Sequence, residues 1–205
     1  EILFTQNTAY SIDMTDHGSA AASSLMNALR TTYDASIAIG YSPLVSTSIY
    51  CGDYSKQQLL WVMAGNYAVS QGEYTGAELR QMMEWLVNVK DNGANPIRHR
   101  NYMPVTSGME YKVTEYEQGK FRLEELTVNG APLDDTATYT VFVAGTDVWI
   151  ENEVYCSCPM PENLKTKRTE YAIEGADSRS CLKDSLAVSK QFPAPSEYLT
   201  IVQGE

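Results

Sequence analysis

Metal-assisted hydrolysis needs several His, Asp, Glu or Cys side chains converging on one point, and imidazole is the commonest ligand. This chain offers two histidines, His17 at a predicted helix start and His99 in a polar loop, too few for a two-metal centre. Four cysteines are present, Cys51, Cys156, Cys158 and Cys181. Three readings stay open for them: free thiols, two disulfides in one of three pairings, or a metal site at Cys156-Ser157-Cys158. The last lacks the spacing of structural zinc, which places at least two residues between thiols. The Gly-x-Ser-x-Gly elbow of serine hydrolases is absent, as are the phosphate loop and the dinucleotide fingerprint. An independent hydrolase would have to use local Ser or Asp residues. Glu124-Glu125, Asp134-Asp135 and Glu151/Glu153 are acid pairs that read as solvated faces, since Asp and Glu total 26 against 15 Lys and Arg. Lys165, Lys167 and Arg168 read as loop surface, while Arg98-His99-Arg100 is a candidate to meet an anion or a neighbouring domain.

The resulting net charge of −11 opposes binding to a phosphate backbone, so a nucleic-acid partner is not expected. Hydrophobic residues make up 43% of the 205-residue chain, enough for a core, and the length predicts one domain over 1–205. The longest apolar run, Leu59 to Ala64, falls far short of the roughly 20 residues of a membrane span. Residue 1 is Glu rather than Met, and the expectation is that upstream sequence has been removed: a signal peptide, an earlier domain or a trimmed segment.

Spacing predicts the elements that must position any site. A first helix is expected from Gly18 to Arg30, capped by Asp16 or Ser19, with Ala21, Leu25 and Leu29 on one face. A short buried strand follows over Ser36–Ile39, then a helix after Asp53 with Ser55 at its cap. Thr75-Gly76-Ala77-Glu78 is a capping box, followed by the apolar stripe Leu79, Met82, Met83, Leu86 and Val87, and Asp91-Asn92-Gly93 is the expected stop. Alternation from Met109, a turn at 117–120 and the Asn129-Gly130 hairpin signal predict strands in the centre, with another at Tyr139–Val143. Residues 151–178 read as a long loop or surface insertion. A helix over Ser180–Lys190, stopped by Pro193 and Pro195, precedes a closing strand at Tyr198–Val202. Helices flanking a strand-rich centre predict an α+β domain with a mixed sheet.

An ordered set of motifs then resembles one family. Gly65-Asn66 followed by Glu73-Tyr74-Thr75-Gly76-Ala77-Glu78-Leu79 is similar to the pattern Gly-Asn, six residues, Glu-Leu-Thr-Gly-Ala-x-Leu of the C-terminal domain of 5′-nucleotidases. Val128-Asn129-Gly130-Ala131-Pro132-Leu133-Asp134 and Thr138-Tyr139-Thr140-Val141 resemble its Val-Asn-Gly-x-Pro-Leu-Asp and Thr-Tyr-Thr-Val runs. Val105-Thr106-Ser107-Gly108-Met109, the late Leu182-Lys183-Asp184-Ser185-Leu186 and the early Asn27-Ala28-Leu29-Arg30 fit in order, so the similarity covers nearly the whole chain.

The resemblance implies a substrate-binding domain that works with an N-terminal metallophosphoesterase domain. Two divalent metals would belong to that partner domain and none to this chain, which carries no catalytic residue. The implied setting is extracellular, periplasmic or cell-surface in a bacterium, and the implied ligand is a nucleotide or another phosphorylated small molecule. An isolated fragment is expected to be inactive. Among the family's pocket positions, Asn66 matches a base-contacting Asn and Gly108 the glycine beside the base. The remaining clamp has changed. Ser46 stands where the family has an anion-binding Arg, Ala64 where it has a stacking Phe, and Thr146 where it has the second Phe. Each lost stack removes roughly 1–3 kcal/mol of base binding, and the lost Arg about 1.5–3 kcal/mol. Tyr41, Tyr67 and Trp149 are near these positions in sequence and are candidates to rebuild an aromatic wall, against the plainer reading of ordinary core or surface aromatics. Two functions follow. One is substrate binding with altered specificity in a 5′-nucleotidase-like hydrolase; the alternative is a non-catalytic binding or structural module at a bacterial surface.

Overall fold

A computed structural model describes residues 1–40, 45–63, 65–87, 103–145 and 160–204. The strands are β1 (Ile2–Gln6), β2 (Ile37–Gly40), β3 (Gly52–Ser55), β4 (Ala68–Thr75), β5 (Val105–Ser107), β6 (Met109–Glu117), β7 (Lys120–Val128), β8 (Ala131–Pro132), β9 (Thr138–Ala144), β10 (Ala172–Asp177) and β11 (Leu199–Gln203). The helices are α1 (Ala20–Thr32), α2 (Lys56–Val62), α3 (Gly76–Val87), α4 (Glu162–Glu170) and α5 (Ser178–Ser189). A five-stranded sheet runs β10-β4-β9-β2-β5, with β2 parallel to β9 and the other pairs antiparallel. A four-stranded sheet runs β11-β6-β7-β8, and β1 pairs with β3. The α+β class with mixed sheets and flanking helices is the one the sequence predicts.

Side-chain caps set the starts of α1, α2 and α3. Ser19 accepts the Ala22 amide, Ser55 and Gln58 exchange bonds across α2, and Thr75 with Glu78 does the same for α3. Helix α1 buries Leu25, Met26 and Leu29 against β2, β5 and α5. Its buried Ser23 and Ser24 hydroxyls donate to the carbonyls of Ser196 and Pro193 at 2.8 and 2.6 Å, which ties the Pro-rich segment before β11 to the helix. Asn129 and Gly130 both take positive φ, 52° and 76°, and close the β7–β8 hairpin.

The predicted stop at Asp91-Asn92-Gly93 lies outside the described residues. One expectation is corrected. Within 151–178, residues 162–177 form α4 and β10 rather than a loop, and 151–159 lie outside the described residues. Helix α4 buries only Leu164, so it has no apolar stripe to read, and it is held instead by polar contacts. Lys167 Nζ donates to Glu78 Oε2 at 2.6 Å and to the Glu73 carbonyl at 3.0 Å, and lies 5.2 Å from the Tyr74 ring centre.

The Glu78 carboxyl titrates with a definite sign. Burial raises the Glu78 carboxyl, but the bonds from Lys167 and Thr75 outweigh it and hold the group below its ordinary value. A depressed carboxyl contributes stability above its unfolded value near 4.5, and that contribution is lost as pH falls through the folded value. Lys167→Ala is expected to cost about 1–2 kcal/mol at neutral pH. Urea midpoints measured across pH should show the gap between wild type and variant narrowing as the carboxyl is protonated, down to the part carried by the Glu73 carbonyl and the Tyr74 ring; a pH-independent gap would refute the assignment.

Candidate functional site

The loop between α2 and β4 is fixed from below by the first residue of α5. Ser178 Oγ accepts from the Tyr67 amide at 3.1 Å and donates to the Gly65 carbonyl at 3.3 Å. The Ser178 amide donates to the Tyr67 carbonyl at 2.8 Å. This clamp leaves Asn66 exposed at the loop tip. The Tyr67 ring folds back over the loop. A Cβ on Gly65 would stand 3.0 Å from Tyr67 Cζ, and the ring is half-buried against the core.

Beside this loop, α2 and the start of α5 enclose a groove of about 460 Å³, within the range of small-molecule sites. Buried Leu59, Met63 and Leu182 form its floor, with the half-exposed Leu60 at the edge. Asn66, Lys56, Arg179, Lys183, Asp177 and Ser180 supply its polar wall. Arg179 Nη2 donates to the carbonyls of Leu60 and Met63 at 3.3 and 3.0 Å, so the guanidinium caps the C-terminal end of α2. Its Nε is buried with no hydrogen-bond acceptor among the described residues. Asp177 is committed to its own helix: Oδ1 accepts the amides of Arg179 and Ser180 at 2.9 and 3.0 Å. A smaller concavity of about 200 Å³ lies against β6, β7 and β11. Its charged residues are Glu110, Glu125, Glu197 and Lys112, the wrong balance for an anion.

Gly108 sits elsewhere. It joins β5 to β6 at φ +78°, and a Cβ there would stand 2.3 Å from the Ser36 carbonyl oxygen. Ser36 immediately precedes β2, whereas Gly145 beyond β9 bonds to Ala68 just after the Asn66 loop. The register therefore puts Gly108 and Ala68, two residues after Asn66, at opposite ends of the central sheet, on the order of 13 Å apart along the strands at about 3.3 Å per residue. Of the sequence-predicted positions, the structure brings Asn66 and Tyr67 together and lines the groove with Asn66 alone. Tyr41 and Trp149 lie outside the described residues, as do Ala64, Thr146 and the Arg98-His99-Arg100 run. Ser46 donates its hydroxyl to the Trp61 carbonyl.

Sequence reasoning missed Lys56 and Arg179 as groove residues, and Lys183 appeared only inside a helix motif. Nothing in their spacing signals a shared wall, because α2 and α5 meet only in the fold. Among the described residues no group of three or more His, Cys, Asp or Glu is placed to hold a metal. Cys51 is an exposed free thiol and Cys181 a buried one, and Cys156 and Cys158 lie outside the described residues.

The family comparison decides what this scaffold is. The model of the 5′-nucleotidase C-terminal domain matches residues 4–146. The chain belongs to that family.

Solved structures extend the likeness of this 5′-nucleotidase C-terminal domain beyond the matched span. A 5′-nucleotidase precursor from Thermus thermophilus is 16% identical with a TM-score of 0.71, covering 100% of this chain and 40% of the other. The NAD nucleotidase of Haemophilus influenzae is 13% identical with a TM-score of 0.72, covering 100% and 38%. The sulfate thiohydrolase SoxB of Thermus thermophilus, in complex with glycerol, is 15% identical with a TM-score of 0.66, covering 98% and 35%. At such identities the likeness is one of fold. The chain spans about two fifths or less of the length of each of these proteins. No curated protein matches the sequence. The family match ends just after β9, yet the structural likeness covers α4, β10, α5 and β11 as well. No described helix is long and apolar enough to cross a membrane.

Proposed function

We propose that this chain is the substrate-binding part of a 5′-nucleotidase-like metallophosphoesterase, which hydrolyses nucleotides or other phosphomonoesters once joined to its catalytic domain. One observation carries the reading: the fold likeness spans the whole chain but only 40% of the 5′-nucleotidase it matches. In this reading the N-terminal metallophosphoesterase domain supplies two divalent metals, and this chain supplies grip and orientation. Asn66, on its clamped loop, is the residue best placed here to meet a ligand, and Tyr67 holds the loop rigid beneath it. By resemblance Gly108 belongs to the proposed set, although it lies at the other end of the central sheet, and Tyr41 and Trp149 are proposed for their nearness in sequence to the changed clamp positions. A bacterial protein working outside the cytoplasm, as a secreted, periplasmic or surface hydrolase, fits the same reading.

A second reading is supported by Ser46. Its hydroxyl is turned onto the Trp61 carbonyl, where the family's Arg would face an anion. A non-catalytic binding or structural module would tolerate that exchange.

A chromogenic phosphate ester separates the two. The isolated chain should give no turnover with or without added divalent metal. Fused to a metallophosphoesterase domain of the same family, it should support metal-dependent hydrolysis. Turnover by the chain alone would overturn the proposal, and a folded, metal-loaded fusion without hydrolysis would favour the second reading.

A further inference from the structure

The first two residues of α5 hold the stretch of backbone that carries Asn66. Arg179 Nη2 donates to the carbonyls of Leu60 and Met63, where α2 ends. Ser178 takes both residues that flank Asn66. Its hydroxyl accepts the Tyr67 amide at 3.1 Å and donates to the Gly65 carbonyl at 3.3 Å, and its own amide donates to the Tyr67 carbonyl at 2.8 Å. One residue earlier, Asp177 pairs with Ala68 across β10 and β4. Asp177 also caps α5 through the amides of Arg179 and Ser180, so the helix end that does the holding is itself fixed.

Burial sets Ser178 apart from every other residue around Asn66. It is 0% exposed, so it has no surface with which to touch a ligand. Asn66 is the reverse case. Its side chain is exposed and takes no part in the bonds that fix its loop. A loop that is ordered only when its ligand arrives subtracts that ordering entropy from the affinity. A hydroxyl both donates and accepts at one atom, which lets a single side chain grip a carbonyl before Asn66 and an amide after it. Ser178 lies beyond residue 146, where the family match ends, and none of the family motifs includes it.

We propose that Ser178 is a positioning residue for Asn66: its hydroxyl raises ligand affinity by holding the Asn66 loop in place beforehand, without meeting the ligand. The role rests on the reading of Asn66 as a ligand contact and adds the group that makes that contact effective. The bond from the Ser178 amide survives any change of side chain, so the loop stays tethered to α5 in the variants.

Calorimetric titration with adenosine monophosphate of the wild-type chain, Asn66→Ala, Ser178→Ala and the double variant tests the role. Asn66→Ala should weaken binding about tenfold, equivalent to about 1.4 kcal/mol. Ser178→Ala should weaken it about fivefold. The double variant should bind no worse than Asn66→Ala, because Ser178 acts through Asn66 and its effect disappears with that side chain. Without ligand, amide exchange at Tyr67 should quicken in Ser178→Ala by more than exchange in β9 does, since the loosening is local. If Ser178→Ala fails to fold, Ser178→Gly removes the same hydroxyl and gives the same reading. Wild-type affinity in Ser178→Ala, a double variant whose loss is the product of the two single losses, or Tyr67 exchange that rises no more than that of β9 overturns the role of Ser178 and leaves Asn66 as a contact. A wild-type chain that leaves the nucleotide unbound, or Asn66→Ala binding it as tightly as wild type, overturns the contact at Asn66, and the role of Ser178 falls with it.

Discussion

Replacing Gly76 with Ala is expected to destabilise the chain by about 4 kcal/mol, the larger part of it from one contact with the backbone. A Cβ at this position would stand 2.1 Å from the Asp134 carbonyl oxygen and 2.9 Å from Asp135 Cα. Neither is the end of a flexible side chain, so a whole turn must move. That turn is bonded to the helix start through Gly76 N to Ala137 O at 2.9 Å and Ala77 N to Asp135 O at 3.0 Å. Arg80 adds an ion pair to Asp135 at 2.8 Å. Displacing the turn strains or breaks these bonds, each contributing about 1 kcal/mol. Chemical and thermal denaturation should show the loss, with a melting temperature lower by roughly 8–16 °C for a chain of this size. A variant melting within a degree or two of wild type would mean that α3 and this turn are not in van der Waals contact.

The same contact explains why the family motifs were legible. Thr75-Gly76-Ala77-Glu78 and Pro132-Leu133-Asp134 are far apart in sequence, yet they are two sides of one junction. Asp134 accepts the Thr136 amide and hydroxyl and shapes the turn that Gly76 admits. Such residues are dictated by the backbone geometry of the junction, so their motifs are readable from the sequence one by one. Caps were legible for a related reason: Ser19, Ser55 and Thr75 each act within three residues of themselves.

Elements stabilised from a distance were not legible. Strand β4 lies second from the edge of the five-stranded sheet, but Gln71 and Gly72 interrupt its apolar pattern. The Tyr171 ring occupies the space that Gly72 leaves, and Gln71 reaches the Tyr33 carbonyl at 2.7 Å. Helix α4 is polar almost throughout, and its anchor is Lys167, read from sequence as loop surface. The groove is the extreme case. Lys56 is an ordinary exposed lysine until α5 packs beside α2, and no local pattern encodes that meeting. Scaffold junctions are thus written in short motifs, whereas the candidate site is written in the way two helices meet.

Gly108→Ala separates these two kinds of residue most sharply. By resemblance Gly108 stands beside the ligand's base, but the structure gives it a different neighbour. Its φ is +78°, a conformation that costs an Ala about 1–2 kcal/mol. The added Cβ would also meet the Ser36 carbonyl oxygen at 2.3 Å and Arg30 Cδ at 3.0 Å. Ser36 cannot yield easily, because its amide is bonded to Thr140 of β9 at 2.9 Å. Arg30 is held by Ser107 at 2.8 Å, and Ser107 in turn by Asn27 at 2.6 Å. Strain and clash together are expected to remove about 3 kcal/mol of stability. Chemical and thermal denaturation should show the loss, because neither neighbour can withdraw without breaking a bond that holds it. A variant as stable as the wild type would mean that the β5–β6 turn does not pack against Ser36.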